Sequence, residues 1–413
     1  MKKWMALLLT VIMVMCSFGA AMAEEKTAEL NIMMSSANLM EQWQDFCDQF
    51  AAKVLAEQNI KVKINLEMPA SGQYDSVLQA RLNGGDAPDV YMIHCNNLNV
   101  YTKANYTTDL TQEAFTAQLF ESVRKTVTLE DGKVYAAPLE NQAWGVLYNK
   151  EIFEECGLKT PDTLTELKAA CETLKAKGYT PFMLAFQEQW VPQLMTALTL
   201  GGKVSGELPD WVDRMYKDEG SYEEVREIFD VIQLIMANGT KRAMEEGSEA
   251  GAADFAMGAA AMFVQGTWAE GSVMTANPDM KVGVMPLPIN DNPGCTMLNM
   301  ATSSVLCVYP KSTEKELALQ FINYIYDEEV SSQLFQACTY NPVAACHTYE
   351  PSQCVASAAE FLAAGRAYEE LVLPSAVTDE QGKLLQELYV GTVTVDEIIT
   401  RLDAAFQNAN KLN

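Results

Sequence analysis

Ser35-Ser36, Ser71-Gly72-Gln73-Tyr74 and His94-Cys95-Asn96-Asn97 gather hydroxyls, amides and an aromatic ring into three short stretches. Side chains of these types suit a polyhydroxylated ligand, because an amide both donates and accepts while a flat ring covers the apolar face of a pyranose. Turn formation explains Ser, Gly and Asn in such places equally well. Catalytic chemistry has less to work with. His94 and His347 are the only histidines, and the chain has no H-E-x-x-H, no nucleophile elbow and no phosphate-binding glycine loop. Glu140 and Glu188 can be cast as the two carboxylates of a secreted glycoside hydrolase, the rival reading, yet neither lies in a recognisable catalytic motif. Cys338, Cys346 and Cys354 with His347 make a conceivable metal set, but their spacing fits no usual zinc pattern, so no metal or other cofactor is expected.

The three stretches follow three strands. Leu30 to Met34 is a short apolar run, and Leu39, Met40, Trp43, Phe46, Cys47, Phe50, Val54 and Leu55 recur at helical spacing behind it. Lys61 to Met68 alternates, with Val62, Ile64, Leu66 and Met68 on one face. Tyr74, Val77, Leu78 and Leu82 outline a second helix stopped by Gly84-Gly85, and Asp89 to Ile93 is a third strand. The order β-α-β-α-β implies a parallel sheet with helices packed on it, since each crossover returns the chain to the same direction. Ligands of such sheets bind beyond the carboxyl ends of the strands, where the three stretches lie. Later, Thr163 with Glu166, Ser221 with Glu224, Thr313 with Glu316 and Thr394 with Glu397 fit the capping box of a helix start. The stripe Val225, Ile228, Phe229, Ile232 and Ile235 reads as a core-facing helix side.

The chain has 413 residues and opens Met1-Lys2-Lys3, with an apolar run from Met5 to Met15 and then Ser17 to Ala23. Residues 1–23 are expected to be a signal peptide cut after Ala23, and the run is too short for a permanent membrane helix. The product is expected to be exported and extracellular or envelope-associated, in the periplasm where the producer has an outer membrane. Lipid anchoring at Cys16 is disfavoured, because Met13-Val14-Met15 lacks the small residue usual before an acylated cysteine. The rest, 413 less 23 or 390 residues, suggests two domains. Without Lys2 and Lys3 it holds 27 basic against 55 acidic residues, a formal charge of −28, and such a surface repels nucleic acid and anionic membrane. Nine of the ten cysteines lie after residue 23; odd in number and without C-x-x-C, they read as buried free thiols rather than a disulfide framework. Without internal repeats, a structural or adhesion array is disfavoured.

Three further stretches are more specific. They are Gly85-Asp86-Ala87-Pro88-Asp89-Val90; Gly145-Val146-Leu147-Tyr148-Asn149-Lys150 with Phe153, Gly157-Leu158 and Pro161-Asp162-Thr163 behind it; and Phe255-x-x-Gly258-x-Ala260-Ala261-Met262-x-x-x-Gly266-x-Trp268. In this order and spacing they resemble the extracellular solute-binding proteins of the carbohydrate type, the maltose-binding-protein-like receptors of ABC importers, over nearly the whole chain after residue 23. The resemblance implies an α/β, two-lobe periplasmic-binding-protein-like fold, each lobe a mainly parallel sheet flanked by helices, joined by a three-segment hinge. Lobe one would be 24–138 plus 286–340 and lobe two 139–285 plus 341–413. Ala137-Pro138, Met285-Pro286-Leu287-Pro288 and Tyr340-Asn341-Pro342 suit the crossings, since proline favours extended connectors.

The resemblance further implies a monomeric receptor, not an enzyme, that closes over a small-molecule solute in the interlobe cleft and presents it to ABC permease subunits in the membrane. It nominates Gln142 and Trp144, ahead of Tyr148-Asn149-Lys150. It adds Glu188 and Trp190, in a segment that supplies such receptors with a carboxylate and a stacking aromatic, and Trp268, where the family stacks tryptophan on a sugar ring. Asn299 and Thr302 lie on the returning strand. With these go Ser35, Ser36, Ser71, Tyr74, Asn96 and Asn97 from the first three loops. Core packing is the plain alternative for each tryptophan and the role expected of Trp43. Around Pro374 to Val377 the aromatic that maltose receptors add to the cleft is not apparent, which counts against maltose-type oligosaccharides.

The nominated loops, 33–38, 69–74, 93–99, 139–145, 186–192, 264–270, 295–304 and 338–342, contain no Lys or Arg. Burying an anion there without an ion pair is costly, so a neutral solute is expected, a mono- or oligosaccharide. Glu140, Glu188 and Glu270 leave room for an amine-containing solute; their alternative role is to accept hydrogen bonds from hydroxyls.

Overall fold

The structure, a computed structural model, describes residues 26–35, 37–69 and 71–411, without the side chains of Ser71 and Gly72. The expected signal peptide, Cys16 and Ser36 lie outside the described residues. Two compact units form, one from the chain up to Tyr91 with Val308–Tyr324, the other from Met92–Cys307 with Ile325–Asn413. No helix among the described residues is long and apolar enough to cross a membrane.

In the first unit, β1 (Lys26–Met33) pairs in parallel with β2 (Ile60–Glu67), from Lys26 opposite Ile60 to Met33 opposite Glu67. On its other side it pairs in parallel with β3 (Val90–His94) through Ile32 and Met33. This is the β-α-β-α-β order expected. The helix Met40–Gln58 buries Trp43, Phe46, Cys47, Phe50 and Val54, while Met40 and Leu55, at the margins of the apolar stripe, are exposed. β2 is an edge strand, which explains why Ile64 and Leu66 are only half-buried despite clean alternation. Asp89, last residue of the Gly85 stretch before β3, is buried. Its Oδ2 accepts the Asn31 backbone amide at 2.8 Å and its Oδ1 accepts the Ser312 hydroxyl at 2.6 Å. That carboxylate therefore locks β1 to β3 and to the turn before the helix Lys315–Tyr324.

Eight more strands follow: β4 (Ala137–Pro138), β5 (Gln142–Asn149), β6 (Phe182–Met183), β7 (Met262–Gly266), β8 (Val282–Met285), β9 (Leu298–Ala301), β10 (Ser304–Val308) and β11 (Ala367–Glu369). In the second unit β10 runs antiparallel to β4, and a larger sheet has the order β11-β9-β5-β7-β6, with β8 also on β5. The fold class is α/β, but this sheet is mixed. β5 is antiparallel to β7, β8 and β9, while β6–β7 and β9–β11 are parallel. Seven of its eight residues are buried, so hydrophobic alternation is absent, as befits a central strand covered on both faces. Trp144 and Val146 face one cluster with Leu194, Leu198 and Phe406; Ala143 and Leu147 face another with Phe255, Val273 and Ala358. Gly145 is required where β8 crowds β5, because a β-carbon there would strike Met285 O and the Leu298 side chain.

Of the four expected capping boxes, Ser221–Glu224 and Thr394–Glu397 are complete, the first on a short 3-10 helix. Thr163 accepts the Glu166 amide, but the Glu166 carboxylate turns to the Asp162 amide instead. Before the helix Lys315–Tyr324 the accepting hydroxyl is that of Ser312, one residue earlier than expected. The nine cysteines among the described residues are free thiols, all buried except the half-buried Cys156, and burial pushes Cys47 and Cys95 up to about 12.

His347 is buried against Phe335, with ring centroids 3.7 Å apart, and stacks on Tyr326 at 5.8 Å. Its Nδ1 accepts the Val343 amide at 3.2 Å, and burial lowers its pKa to about 4. The folded protein thus holds this imidazole neutral where the unfolded chain, near 6.5, would protonate it. The contribution is complete above about pH 6.5 and lost as the pH falls towards 4, up to about 3 kcal/mol.

Two outcomes are expected. Asp89→Ala strips the half-buried Asn31 amide of its acceptor and should cost about 2 kcal/mol in urea unfolding at neutral pH; no change in midpoint would remove Asp89 from this role. His347→Asn keeps an acceptor for Val343 without the titration. Its stability loss between pH 7 and pH 5 should be visibly smaller than that of the unmodified protein, measured by urea midpoints at both values.

Candidate functional site

Register builds the site. Trp144 on β5 lies opposite Asn299 on β9 and Gly266 on β7, and Asn299 lies opposite Tyr368 on β11. Residues directly opposite share a face, so Tyr368, Asn299, Trp144 and Gly266 form one row across four strands. The helix Trp190–Glu207 covers that row: the Tyr368 hydroxyl donates to Leu198 O at 3.4 Å, and Gly201 sits against the Tyr368 ring. Gly266 has no side chain, and the Trp268 ring occupies the space where a β-carbon would stand. The half-buried Trp268 meets Trp144 edge to face at 5.7 Å and Trp190 at 6.3 Å. Trp190, 36% exposed at the first turn of its helix, is the solvent side of this three-ring cluster. Within the row, Trp144 Nε1 and Asn299 Oδ1 are a buried donor and a buried acceptor without a hydrogen-bond partner among the described residues.

Behind the cluster runs a buried relay. Glu140 Oε1 accepts the hydroxyls of Ser303 at 2.8 Å and Ser304 at 2.6 Å, and its Oε2 accepts Gln142 Nε2 at 2.5 Å. Gln142 Oε1 accepts the Thr267 hydroxyl, and Thr267 Oγ1 accepts the Ala143 amide at 3.3 Å. Gln142 is wholly buried with both ends of its amide engaged, so it positions Thr267 and hence Trp268. The carboxylates of Glu188 and Glu270 are used in the same manner. Glu188 accepts the Ser248 amide at 2.8 Å, at the start of the helix Ser248–Ala256. Glu270 is buried and accepts the Gln353 and Cys354 amides and the Ser352 hydroxyl, capping the helix Gln353–Ala363. A carboxylate at a helix N-terminus satisfies amides that have no partner within the helix.

The remaining nominated residues divide by unit. In the first, Tyr74 is buried with its hydroxyl donated to Met33 O at 3.0 Å, and Ser35 is half-buried beyond β1. Nothing is described of Ser36 or of the Ser71 side chain. In the second, Asn96 and Asn97 are half-buried on a 3-10 turn after β3, where His94 Nδ1 accepts the Asn96 amide at 3.3 Å. Thr302 is buried between β9 and β10. Glu370, missed by sequence reasoning, bonds to Asn96. Burial raises its carboxyl, and the nearby His94 and the Asn96 amide partly offset the rise. No motif surrounds Glu370; only the pairing of β11 with β9 brings it there.

A profile of the bacterial extracellular solute-binding protein family matches residues 46–362. The multiple sugar-binding protein of Streptococcus mutans is 27% identical over 271 residues, 64% of this chain and 64% of that protein. The melibiose/raffinose/stachyose-binding protein MelE of Bacillus subtilis is 24% identical over 300 residues, 70% of this chain and 68% of that one. The chain thus spans about two thirds of the length of these relatives. A sugar transporter of Bacillus licheniformis solved with stachyose superposes with a TM-score of 0.79 at 20% identity, covering 94% of this chain and all of that one. A chitin oligosaccharide binding protein does so with a TM-score of 0.82 at 19% identity, covering 93% and 99%.

Gly266→Ala puts a methyl group where the Trp268 ring lies. The ring is expected to swing away while the backbone stays, at a cost of about 1–3 kcal/mol. Near-UV circular dichroism should weaken with an unchanged far-UV spectrum; an unaltered near-UV spectrum would show that Gly266 does not seat the ring.

Proposed function

The chain belongs to the bacterial extracellular solute-binding protein family, and we propose that it captures a neutral carbohydrate outside the cell and hands it unchanged to the permease of an ABC importer. The observation that carries this reading is the cluster of Trp144, Trp190 and Trp268, in which Trp190 and Trp268 are partly open to solvent and the buried Trp144 lies beside Asn299, with Trp144 Nε1 and Asn299 Oδ1 unpartnered among the described residues. Flat rings with isolated donors and acceptors, and loops without Lys or Arg, match a sugar better than an anion. The names of the relatives, a multiple sugar-binding protein and a melibiose/raffinose/stachyose-binding protein, support the same class. The internal use of Glu140, Glu188 and Glu270 argues against both a two-carboxylate hydrolase and an amine-containing solute.

In this reading lobe one is 24–138 with 286–340 and lobe two is 139–285 with 341–413. The protein works as a monomer, and solute touching both lobes shifts the population from open to closed. Trp190 and Trp268 stack on sugar rings. Asn96, Asn97, Asn299, Ser35, Ser36 and Ser71 supply hydrogen bonds, and Gln142 and Tyr74 hold their neighbours in place. A dissociation constant on the order of micromolar, about −8 kcal/mol, is within reach of several such bonds and two stacked rings.

Thermal-shift screening of residues 24–413 against monosaccharides, disaccharides, amino sugars and polyamines is expected to raise the Tm with a neutral sugar. Trp268→Ala should weaken that sugar tenfold or more at unchanged far-UV spectrum, and unchanged affinity would return Trp268 to core packing. Multiple turnover of any glycoside would sink the receptor reading.

A further inference from the structure

The chain leaves β4 at Pro138 and enters β5 at Gln142, and later it leaves β9 at Ala301 and enters β10 at Ser304. β4 pairs with β10, whereas β5 pairs with β9, so the two short passages, 139–141 and 302–303, each run between the β4–β10 ladder and the larger sheet. They lie side by side, for the Leu139 amide donates to Ser304 O at 2.9 Å. Passages this short have little slack, and any turn of the ladder against the larger sheet falls on their few backbone dihedrals.

Glu140 stands in the first passage and is buried. Its Oε1 takes the hydroxyls of Ser303, in the second passage, and Ser304, at the start of β10, while its Oε2 takes Gln142, the first residue of β5. All three partners are neutral. A carboxylate out of water is costly unless donors surround it, and two bare oxygens can serve three donors at once. The flanking residues are tied as well: the Tyr326 hydroxyl donates to Pro138 O, and the buried Asn341 donates through Nδ2 to Asn141 O. One side chain thus joins both passages to the head of the central strand. From Gln142 the bond to Thr267 reaches the turn that carries Trp268, whose other end is held by Glu270 on the helix Gln353–Ala363.

We propose that Glu140 is a pivot, a positioning residue that keeps the two passages at one point and, through Gln142 and Thr267, makes the seating of Trp268 depend on the angle between the β4–β10 ladder and the larger sheet. A solute that stacks on Trp268 then favours one angle, which gives the shift from open to closed a physical origin. The inference rests on the receptor reading above, whatever the solute.

Amide hydrogen exchange of residues 24–413 tests it, first without solute. Glu140→Leu, similar in volume and unable to accept, should speed exchange about tenfold at 139–143 and 303–304 and also at 266–270, which it does not bond. Thr267→Val should do the reverse and loosen 303–304, although its hydroxyl bonds to neither serine, because coupling is reciprocal. Glu140→Gln should restore protection at both places, since its oxygen accepts Gln142 while the serine hydroxyls turn to accept its amide. Exchange in the helix Val395–Asn410 should stay as in the unmodified protein, which separates a loosened pivot from a damaged fold; if Glu140→Leu does not fold, Thr267→Val decides alone. Faster exchange confined to residues bonded to the substituted side chain overturns the pivot. Raffinose, chitobiose and xylobiose are then added in turn. A sugar that binds should slow 266–270 and 303–304 together in the unmodified protein and 266–270 alone in Glu140→Leu; slowing at both in that variant also overturns the pivot. No slowing by any of the three tells against the carbohydrate reading, while the exchange without solute still decides the pivot.

Discussion

The register of β5 is the constraint on which the second unit depends. Its side chains alternate between two cores, so a slip of one residue would send Trp144 and Val146 to the side now held by Ala143 and Leu147. Three antiparallel neighbours and the crowding of Gly145 against Met285 allow one alignment. That alignment puts Trp144 opposite Gly266 and Asn299. The bare backbone at Gly266 then seats Trp268, and Trp268 reaches Trp190 at the start of the covering helix. A sheet register is thereby converted into an aromatic surface.

The chemistry of that surface is set as much by what the protein uses up as by what it leaves. A chain with so large an excess of acid over base has carboxylates to spare, yet Glu140, Glu188 and Glu270 accept hydrogen bonds from the chain itself. Glu140 gathers two serine hydroxyls and the Gln142 amide, while Glu188 and Glu270 serve helix starts. A buried carboxylate without a cation is tolerable only when donors surround it, and each such donor set lowers its availability to a ligand. What remains is ring faces, amides and hydroxyls, the equipment for a neutral hydroxylated molecule.

Much of the fold was legible because its causes are local. Helical spacing from Trp43 to Val54 and alternation from Lys61 to Met68 each report a periodicity within one element, and both appear in the structure. The complete caps at Ser221 and Thr394 span four residues. The cap near Thr313 moved to Ser312 because either hydroxyl can serve and packing chose between them. The mixed second sheet was not legible, since strand direction depends on which strands meet, and β5 meets β7, β8 and β9 from the opposite sense. Glu370 stayed hidden for a like reason: nothing in its neighbourhood of sequence points to Asn96.

By itself, then, the sequence determined the local elements, the acidic charge and the stock of residue types, including loops without Lys or Arg and the stretches that mark the family. Only the tertiary structure decided how that stock is used. Gln142 and Thr267 are 125 positions apart, and Glu140 and Ser303 are 163 apart. Partners at such separations are chosen by sheet register and core packing, which no local window contains. For that reason three tryptophans became one cluster and Glu140, Glu188 and Glu270 became structural acceptors.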